Sequence, residues 1–465
     1  MKREFGAKLV EDILPRLDLT HVIDCSGAYI PGHGTPTVIL YGRARAPIGN
    51  VIRTVRGIRG EPSAPEDAAK GLIWSAIVEQ IDLEGSISEF ISTEDTPRSV
   101  LAKHPWNIGG GGAADVQDQI EEGATATLEE RIAVRSYTVW IGGRAVRRET
   151  LEIGFASFPG ADDVFIGSGR VFERAGVPGR FVRKIVSGDQ VRDYQIAPGD
   201  SAFVPYDDDR ALVDLEALGF GARYLWTYRT TLDGIVSFGG KTRHDLGAAW
   251  WGWYRWVAER YRNPLTITFG EVATHNHFVL DRGGKIFKQT APVIKLPASA
   301  NEDDHLGLLG LLNSSTACFW LKQVCHNKGA AVDDRGARQR TDPFEDFYAL
   351  NSTNIAHFPV AENLPIVLTR SLDAEACRLA VNLAGAVCAR TTPNRAVLAE
   401  ALVNTNAALG AMIALQEEID WHCYGIYGLV KNVPQAVTPP SLQLGKRAFE
   451  IVMARRIAED GLETT

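Results

Sequence analysis

The sequence predicts an α/β unit at its start, followed by a mixed α+β region and then by a helical C-terminal region. Residues 2–17 carry apolar side chains at helical spacing, at Phe5, Leu9, Ile13 and Leu17. Two apolar runs follow, THVIDCSG and TPTVILYGR, with a loop rich in glycine and proline between them. A helix followed by two strands is typical of an α/β fold. The second strand can run antiparallel to the first, as at the end of many mixed sheets.

The later part of the chain changes from strand patterns to helical ones. Strand signals dominate residues 150–300, in RFVRKIVSG, DSAFVPYD, PLTITFGEVA, HFVLD and APVIKLP. From about residue 303 the spacing of apolar residues becomes helical. The glycine-rich stretch HPWNIGGGGAADVQDQIEE is typical of a connection between domains. The sequence therefore predicts four regions, namely 1–60, a connecting helical and linker region at 61–150, then 151–300 and 301–465.

Composition is that of an ordinary globular protein. Hydrophobic residues make up 45% of the 465 residues, and charged residues make up 23%. The net charge of −8 excludes a uniformly basic coat for nucleic acid but not a local basic face. The six cysteines form no CxxC pair, which argues against a disulfide framework and favours the cytoplasm. The N-terminus lacks the apolar core of a signal peptide. Nowhere do about 18 apolar residues follow one another, so no membrane span is expected.

Two glycine motifs resemble cofactor turns, but neither has the context that such a turn needs. Gly109, Gly111 and Ala114 match G-x-G-x-x-A, yet the preceding AKHPWN is not a buried strand, so a linker is favoured. The DDVFIGSG turn needs a helix after it, and RVFERAGVPGR predicts a poor one. His275 and His277 alternate as on one strand face, and without a third ligand they predict a polar groove lining rather than a metal site.

The strongest local signal is a basic and aromatic stretch over residues 221–295. It holds seven arginines and four lysines against five acids, together with five of the 10 tryptophans. Such a mixture suits phosphate contact combined with base stacking or groove packing. The alternative is a tryptophan-rich core beneath a solvated charged face, and composition alone does not separate the two.

Several strings, taken in order, resemble adenine-specific DNA methyltransferases of the type IIG kind, in particular those of phage growth limitation and bacteriophage exclusion (BREX) systems. MKREFGAKLVEDILPRLDLTHVIDCSGAYIPGHGTPTVILYGR resembles the later part of the catalytic domain of that family, and the long match from SGAYIPGHGTPTVIL to GIRGEPSAPEDAAKGLIWSAI resembles the methyltransferases of those defence systems. LEIGFASFPGADDVFIG resembles the entry to its target-recognition domain, and MIALQEEIDWHCYGIYGL resembles its close. The resemblance implies that residues 1–60 are a Rossmann-like methyltransferase remnant, that 151–300 recognise DNA, and that 301–465 complete the recognition domain.

The resemblance also identifies motifs that this sequence lacks. Family members bind S-adenosylmethionine on a glycine turn and hold the flipped adenine with an Asn-Pro-Pro-Tyr or Asn-Pro-Pro-Phe motif. The nearest strings here, TDPF at 341–344 and NPL at 263–265, lack the second proline. Because a target base must leave the stack and be held in a pocket, we expect no catalytic residue and no cofactor binding in this chain alone. Met1 is then an internal methionine of a longer ancestral protein or the start of a separately encoded half.

These observations predict the DNA-recognition portion of an adenine-specific methyltransferase of phage defence, inactive alone, with duplex DNA as its partner. Arginine suits bidentate guanine readout and lysine suits phosphate. Tyr29 and His33 either rim the place where the target base is delivered or only close a turn. The rival hypothesis is a protein-interaction subunit that docks a separately encoded catalytic half or another defence protein. The residues expected to contact DNA are Arg223, Arg229, Lys241, Arg243, Arg255, Arg260, Arg262, His275, His277, Arg282, Lys285 and Lys288.

Overall fold

The first part of the chain folds into a four-stranded mixed sheet. The structure, a computed structural model, describes residues 6–460 apart from 34–35, 105, 107–108, 142–143, 238, 330–345 and 437. Strand Asp18–Asp24 pairs antiparallel with Val38–Arg43, which confirms the expected direction, and parallel with Val51–Gly57. Strand Ile91–Pro97 pairs antiparallel with Val51–Gly57 and forms the other edge. One parallel pair in a mixed sheet is compatible with a Rossmann-like remnant, which stays a prediction.

Strand alternation gives this sheet two buried faces. Val22 packs on one side with the N-terminal helical segment, whereas Ile23 packs on the other side with helix Leu72–Gln80. The N-terminal segment is a π-helix over Lys8–Ile13. In this segment Val10 is buried, whereas Ile13 is exposed. The predicted apolar face is therefore wrong at Ile13; Met1 and Phe5 lie outside the described residues.

Acidic residues of strand Ile91–Pro97 pair with the arginines of strand Val51–Gly57. Arg53 Nε lies 2.6 Å from Asp95 Oδ1, and Arg56 Nη2 lies 3.0 Å from Glu94 Oε2. The sheet thus continues beyond residue 60, because residues 61–150 contribute helix Leu72–Gln80 and strand Ile91–Pro97 to it.

The middle region is built on two further four-stranded sheets, each with its own buried cluster. The first cluster surrounds Phe165, Phe203 and Trp253, and the second surrounds Phe269 and Phe278 and extends into the C-terminal helices. One sheet has the strand order Ile166–Gly167, Ser201–Phe203, Val182–Val186, Lys285–Phe287, and the other the order Phe278–Asp281, Thr266–Phe269, Val293–Ile294, Ile153–Gly154.

Short strands and helices complete the middle region and connect it to its neighbours. The pairs are Ala126–Thr127 with Pro359–Val360, Ser157–Phe158 with Arg255–Trp256, Val191–Arg192 with Gln195–Ile196, and a three-stranded group of Val272–Ala273, Phe347–Ala349 and His326–Gly329. A separate hairpin joins Val134–Ile141 to Arg144–Leu151. The helices are Ala113–Glu122, Asp162–Phe165, Gly169–Arg174, Phe220–Trp226 and Arg229–Asp233.

The C-terminal region is helical, as the sequence predicts. Helix Arg395–Ile426 packs along Ile366–Asn382, and the side chains of Met412, Leu415 and Ile419 join the second buried cluster. The helices of this region are Glu302–Leu312, Ser315–Val324, Ser352–Ala356, Ile366–Asn382, Ala384–Arg390, Arg395–Ile426 and Ala448–Asp460.

Helix Arg395–Ile426 is long and apolar enough, by length and composition, to cross a membrane. It has 32 residues, and the mean hydropathy of its most apolar window is 1.4. The C-terminal half is nevertheless packed within the protein and carries buried carboxylates. Asp420 accepts hydrogen bonds from the backbone N–H of Ser315 at 2.7 Å and from Arg447 Nη2 at 2.7 Å. Such contacts are those of a helix packed against protein.

Candidate functional site

An exposed group of basic and aromatic side chains lies where two short helices meet. We call Arg223, Trp226 and Arg229 the Trp226 cluster. Arg223 and Trp226, three positions apart on helix Phe220–Trp226, share a helix face. The guanidinium carbon of Arg229 lies 4.8 Å from the Trp226 ring centroid, and Trp226 is 55% exposed. The cluster therefore presents an indole and two guanidinium groups to solvent, which suits phosphate contact and stacking.

The loop that follows the cluster is held from beneath by Arg243. The side chain of Arg243 is only 6% exposed, and its Nη1 donates to the carbonyl of Ala249 at 3.2 Å and also to that of Gly252. Burial lowers the pKa of this guanidinium. Lys241 lies two residues earlier, exposed on a turn closed by the bridge between Val236 and Thr242. In this arrangement Arg243 positions the loop, and Lys241 is the residue that reaches solvent.

Arg260 likewise lies inside the protein. It is 8% exposed, its Nε lies 3.1 Å from Glu152 Oε2, and its Nη2 donates to the carbonyl of Ile153 at 2.7 Å. The same carboxylate accepts from Arg135 Nε at 2.6 Å. Burial lowers the pKa of the Arg260 guanidinium, although Glu152 acts in the opposite direction. Arg260 therefore binds the segment around Glu152 and is not placed where it could reach a ligand.

The other arginines and lysines of the predicted DNA-contact set fall into two groups. Arg255 is exposed, with its guanidinium carbon 5.2 Å from the Tyr254 ring, and Arg262 is exposed beside Glu259 at 3.5 Å. The remaining three are paired with acids. Arg282 lies 2.6 Å from carboxylate oxygens of both Glu302 and Asp373, Lys285 pairs with Asp281, and Lys288 lies 2.6 Å from Asp162. Arg282, Lys285 and Lys288 lie nearer to their carboxylates than Arg262 lies to Glu259, and a closely paired cation offers less net charge to a phosphate, so these three are the weaker candidates.

His275 and His277 lie in the connection between strands Val272–Ala273 and Phe278–Asp281, not on a strand as the alternation suggests. His277 Nδ1 lies 3.7 Å from Asp193 Oδ1. Desolvation lowers the pKa of both rings, that of His275 to about 4, so both are neutral near pH 7. Among the described residues, no three His, Cys, Asp or Glu side chains group as metal ligands.

Tyr29 and His33 differ in their accessibility. Tyr29 is 5% exposed, and its carbonyl accepts a hydrogen bond from Trp74 Nε1 at 3.3 Å. His33 is exposed, and its backbone N–H donates to the carbonyl of Ile30 at 3.1 Å, which closes a turn. Of the two, only His33 could face a delivered base from this position.

Neither glycine run fits an adenosylmethionine site. Gly111 and Gly112 adopt positive φ angles of 69° and 81° and lead into helix Ala113–Glu122, but the residues described just before them form no buried strand. The DDVFIGSG stretch leads into a helix of only six residues, Gly169–Arg174. The cofactor turn of a methyltransferase-like fold needs a buried strand before the glycines and a full helix after them. TDPF at 341–344 lies outside the described residues.

The hairpin Val134–Ile141 with Arg144–Leu151 is a feature that the sequence reasoning missed, because it falls in the predicted linker region. We call it the arm. Its strands pair with each other and, within the described part of the chain, with no other strand. The sequence does contain a pattern that predicts this hairpin. VRSYTVWI and RAVRRETL are β-prone runs separated by Gly-Gly, and that arrangement is typical of a hairpin.

Comparisons with known proteins give a sequence relative and a number of distant structural likenesses. Over 98% of its length the chain is 45% identical to the adenine-specific methyltransferase PglX of Streptomyces coelicolor, and it spans 37% of that protein. A family described as a domain of unknown function (DUF7008) matches residues 412–465.

Two of these solved structures are restriction enzymes, and their likeness is too weak to identify a fold or a function. The type IIL restriction-modification enzyme MmeI in complex with DNA is 10% identical, with a TM-score of 0.44, over 96% of this chain and 46% of that one. The type IIG restriction endonuclease BpuSI is 11% identical, with a TM-score of 0.33, over 93% of this chain and 46% of that one.

Proposed function

Starting from the similarity of the chain to the adenine-specific methyltransferase PglX, we propose that it is the DNA-recognition portion of a site-specific adenine methyltransferase of phage defence. The chain would correspond to the C-terminal part of such an enzyme and would act in the cytoplasm. The observation that carries the proposal is the exposed Trp226 cluster, with Lys241 on the adjoining turn.

These side chains suit duplex DNA for three physical reasons. Arg223, Arg229 and Lys241 can neutralise phosphates, which releases condensed counterions and favours binding. A guanidinium group can also bond two acceptors of guanine in the major groove. The indole of Trp226 offers a flat apolar surface beside a cation, which suits packing against a sugar or a base. Arg255 and Arg262 are two further exposed arginines of the middle region.

The chain alone is proposed to recognise DNA without methylating it. In the longer protein, S-adenosylmethionine would supply the methyl group for the adenine amino group. The glycine runs described above do not fit that cofactor, and the sequence contains no Asn-Pro-Pro motif to hold a flipped adenine. The residues of this chain would therefore bind and orient the duplex so that a catalytic domain can act.

Salt-dependent DNA binding tests the recognition role. Filter binding of the full chain to a duplex at 50–200 mM salt is expected to show log K falling linearly with log salt. Three to five phosphate contacts predict a slope between roughly −2.7 and −4.5. Absence of salt-dependent affinity for duplex DNA would contradict the proposal.

Calorimetry with S-adenosylmethionine tests the absence of a cofactor site. We expect no heat of binding, because the described glycine turns lack the buried strand that the cofactor requires. The control is DNA binding by the same preparation, which shows that the protein is folded. Binding at micromolar concentration would overturn this part of the proposal.

A second candidate function, a protein-interaction subunit, is favoured by apolar side chains exposed on the C-terminal helices. Leu402 and Val403 on helix Arg395–Ile426, and Val367 on the helix packed along it, are all exposed. Apolar groups of this size at a surface often mark a protein interface. The polypeptide encoded immediately upstream, mixed with the unaltered chain and with Val403→Glu, separates the candidates. A complex that Val403→Glu abolishes favours the interaction subunit, whereas no complex favours DNA recognition alone.

A further inference from the structure

The arm is a two-stranded ribbon with much of its surface in solvent. Eight residue pairs join its strands, from Val134 with Leu151 to Ile141 with Arg144. Val134 and Tyr137 are exposed. The side chain of Arg147 is 75% exposed, although its Nη2 donates to Ser136 Oγ at 2.9 Å and lies 3.9 Å from Glu149 Oε1. A two-stranded ribbon on its own is at best marginally stable in water, because neither face is covered by another layer. A surface of this kind is better stabilised when a ligand covers it.

The charge of the arm is strongly positive in a protein whose net charge is −8. Arginines occupy positions 135, 144, 147 and 148, and Glu149 is the single acid between residues 134 and 151. Tyr137 lies opposite Arg148 in the register, and the guanidinium carbon of Arg135 lies 5.7 Å from the Tyr137 ring. Arg135, Tyr137 and Arg148 lie on one face of the ribbon and Arg147 lies on the other, so each face carries arginine, which suits an anionic polymer.

The root of the arm is fixed to the body of the protein by buried hydrogen bonds. The backbone N–H of Ala133 donates to the carbonyl of Lys295 at 2.8 Å, and that of Lys295 donates to the carbonyl of Glu152 at 3.0 Å. The carboxylate of Glu152 binds Arg135 and Arg260, as described above. The arm therefore leaves the body in a defined direction.

The root of the arm also lies close to Arg262, an exposed arginine of the middle region. Glu259 lies 3.6 Å from Arg135 Nη1 and 3.5 Å from Arg262 Nη2, so one carboxylate joins the arm to a member of the predicted DNA-contact set. A duplex bound at Arg262 would thus lie beside the arm.

We propose that the arm enters the major groove of the bound duplex, with Arg147 and Arg148 contacting phosphates or base edges. This inference rests on the proposed DNA-recognition function and adds a binding element outside residues 221–295. Eight residues per strand extend about 27 Å at roughly 3.4 Å per residue. The major groove, about 12 Å wide and 8.5 Å deep, admits a two-stranded ribbon, whereas the minor groove, about 6 Å wide, is too narrow. The arm can therefore cross the depth of the groove while its root stays outside.

The first test is the double variant Arg147→Ala/Arg148→Ala in the full chain. Both side chains are exposed, so we expect unchanged thermal unfolding together with an affinity for a 30-base-pair duplex about 10- to 100-fold weaker. Loss of two phosphate contacts would make the salt slope shallower by roughly 1.8. The charge-matched control, Arg370→Ala/Arg378→Ala on helix Ile366–Asn382, should bind as the unaltered chain does.

The second test identifies the groove. Methyl green, which occupies the major groove, should compete with the protein, whereas distamycin, which occupies the minor groove, should not. Competition by distamycin alone would overturn the groove assignment. If the unaltered chain binds DNA and Arg147→Ala/Arg148→Ala binds it equally well, the arm has no role in DNA binding. The proposed function would then stand, and the result is the one expected if the arm contacts a protein. Failure of the unaltered chain to bind DNA would overturn both.

Discussion

Replacing Arg260 by alanine is expected to lower the free energy of unfolding by about 3 kcal/mol, because it removes one partner of a buried ion pair. Glu152, itself buried, would lose its contact with the buried guanidinium of Arg260 and keep its ion pair with Arg135, and the carbonyl of Ile153 would lose the hydrogen bond from Arg260 Nη2. Urea denaturation followed by circular dichroism measures the change as a lower midpoint at an unchanged slope.

The control for Arg260 is Arg262, two residues along the chain. Arg262→Ala removes an exposed guanidinium paired only loosely with Glu259 and should change stability by less than about 0.5 kcal/mol. Comparing the two variants shows whether Arg260 stabilises the fold or contacts DNA. If Arg260→Ala unfolded at the same urea concentration as the unaltered chain and lost only DNA affinity, then Arg260 would be a contact residue and the anchoring role would be refuted.

The second large effect is expected at the Trp226 cluster. Arg223→Ala/Arg229→Ala should weaken duplex binding by about 10- to 100-fold at 100 mM salt and make the salt slope shallower by roughly 1.8, because two phosphate contacts are lost. Stability should stay nearly unchanged, since both side chains are exposed. Fluorescence anisotropy with a labelled duplex across a salt series measures both quantities.

Variants at Trp226 supply the matched control for this cluster. Trp226→Ala removes the flat surface under Arg229 and should weaken binding further, whereas Trp226→Phe keeps an aromatic ring and should retain most of the affinity. Equal affinities for the unaltered chain and the Arg223→Ala/Arg229→Ala variant would show that DNA is bound elsewhere on the protein.

The basic and aromatic stretch over residues 221–295 shows that composition predicts which residue types are concentrated there but not which of them are buried. Its composition fitted either a DNA-contact surface or a tryptophan-rich core, and the structure contains both buried and exposed tryptophans in this stretch. Trp253 is buried, whereas Trp226 is exposed beside Arg229. The two tryptophans belong to the same stretch, so composition cannot tell them apart; their surroundings are set by residues that come together only in the folded chain.

The arm is a case in which the local structure is predictable from the sequence but its exposure is not. Two runs with β-prone residues and a Gly-Gly between them are a local pattern that could have been read as a hairpin. Whether such a ribbon is covered by other strands or left in solvent depends on the rest of the fold, and no local pattern carries that information.

The sequence by itself determined the local features of this protein: the two antiparallel strands after the first helical segment, the helical C-terminal region, and the concentration of basic and aromatic residues over 221–295. Periodicity and charge composition are properties of neighbouring residues, so they can be read without the fold. Only the tertiary structure decided which arginines are available. Arg260 is buried because Glu152, more than a hundred residues earlier, lies beside it, whereas Arg229 is left at the surface against Trp226. Burial depends on partners that are distant in sequence, and the fold alone brings those partners together.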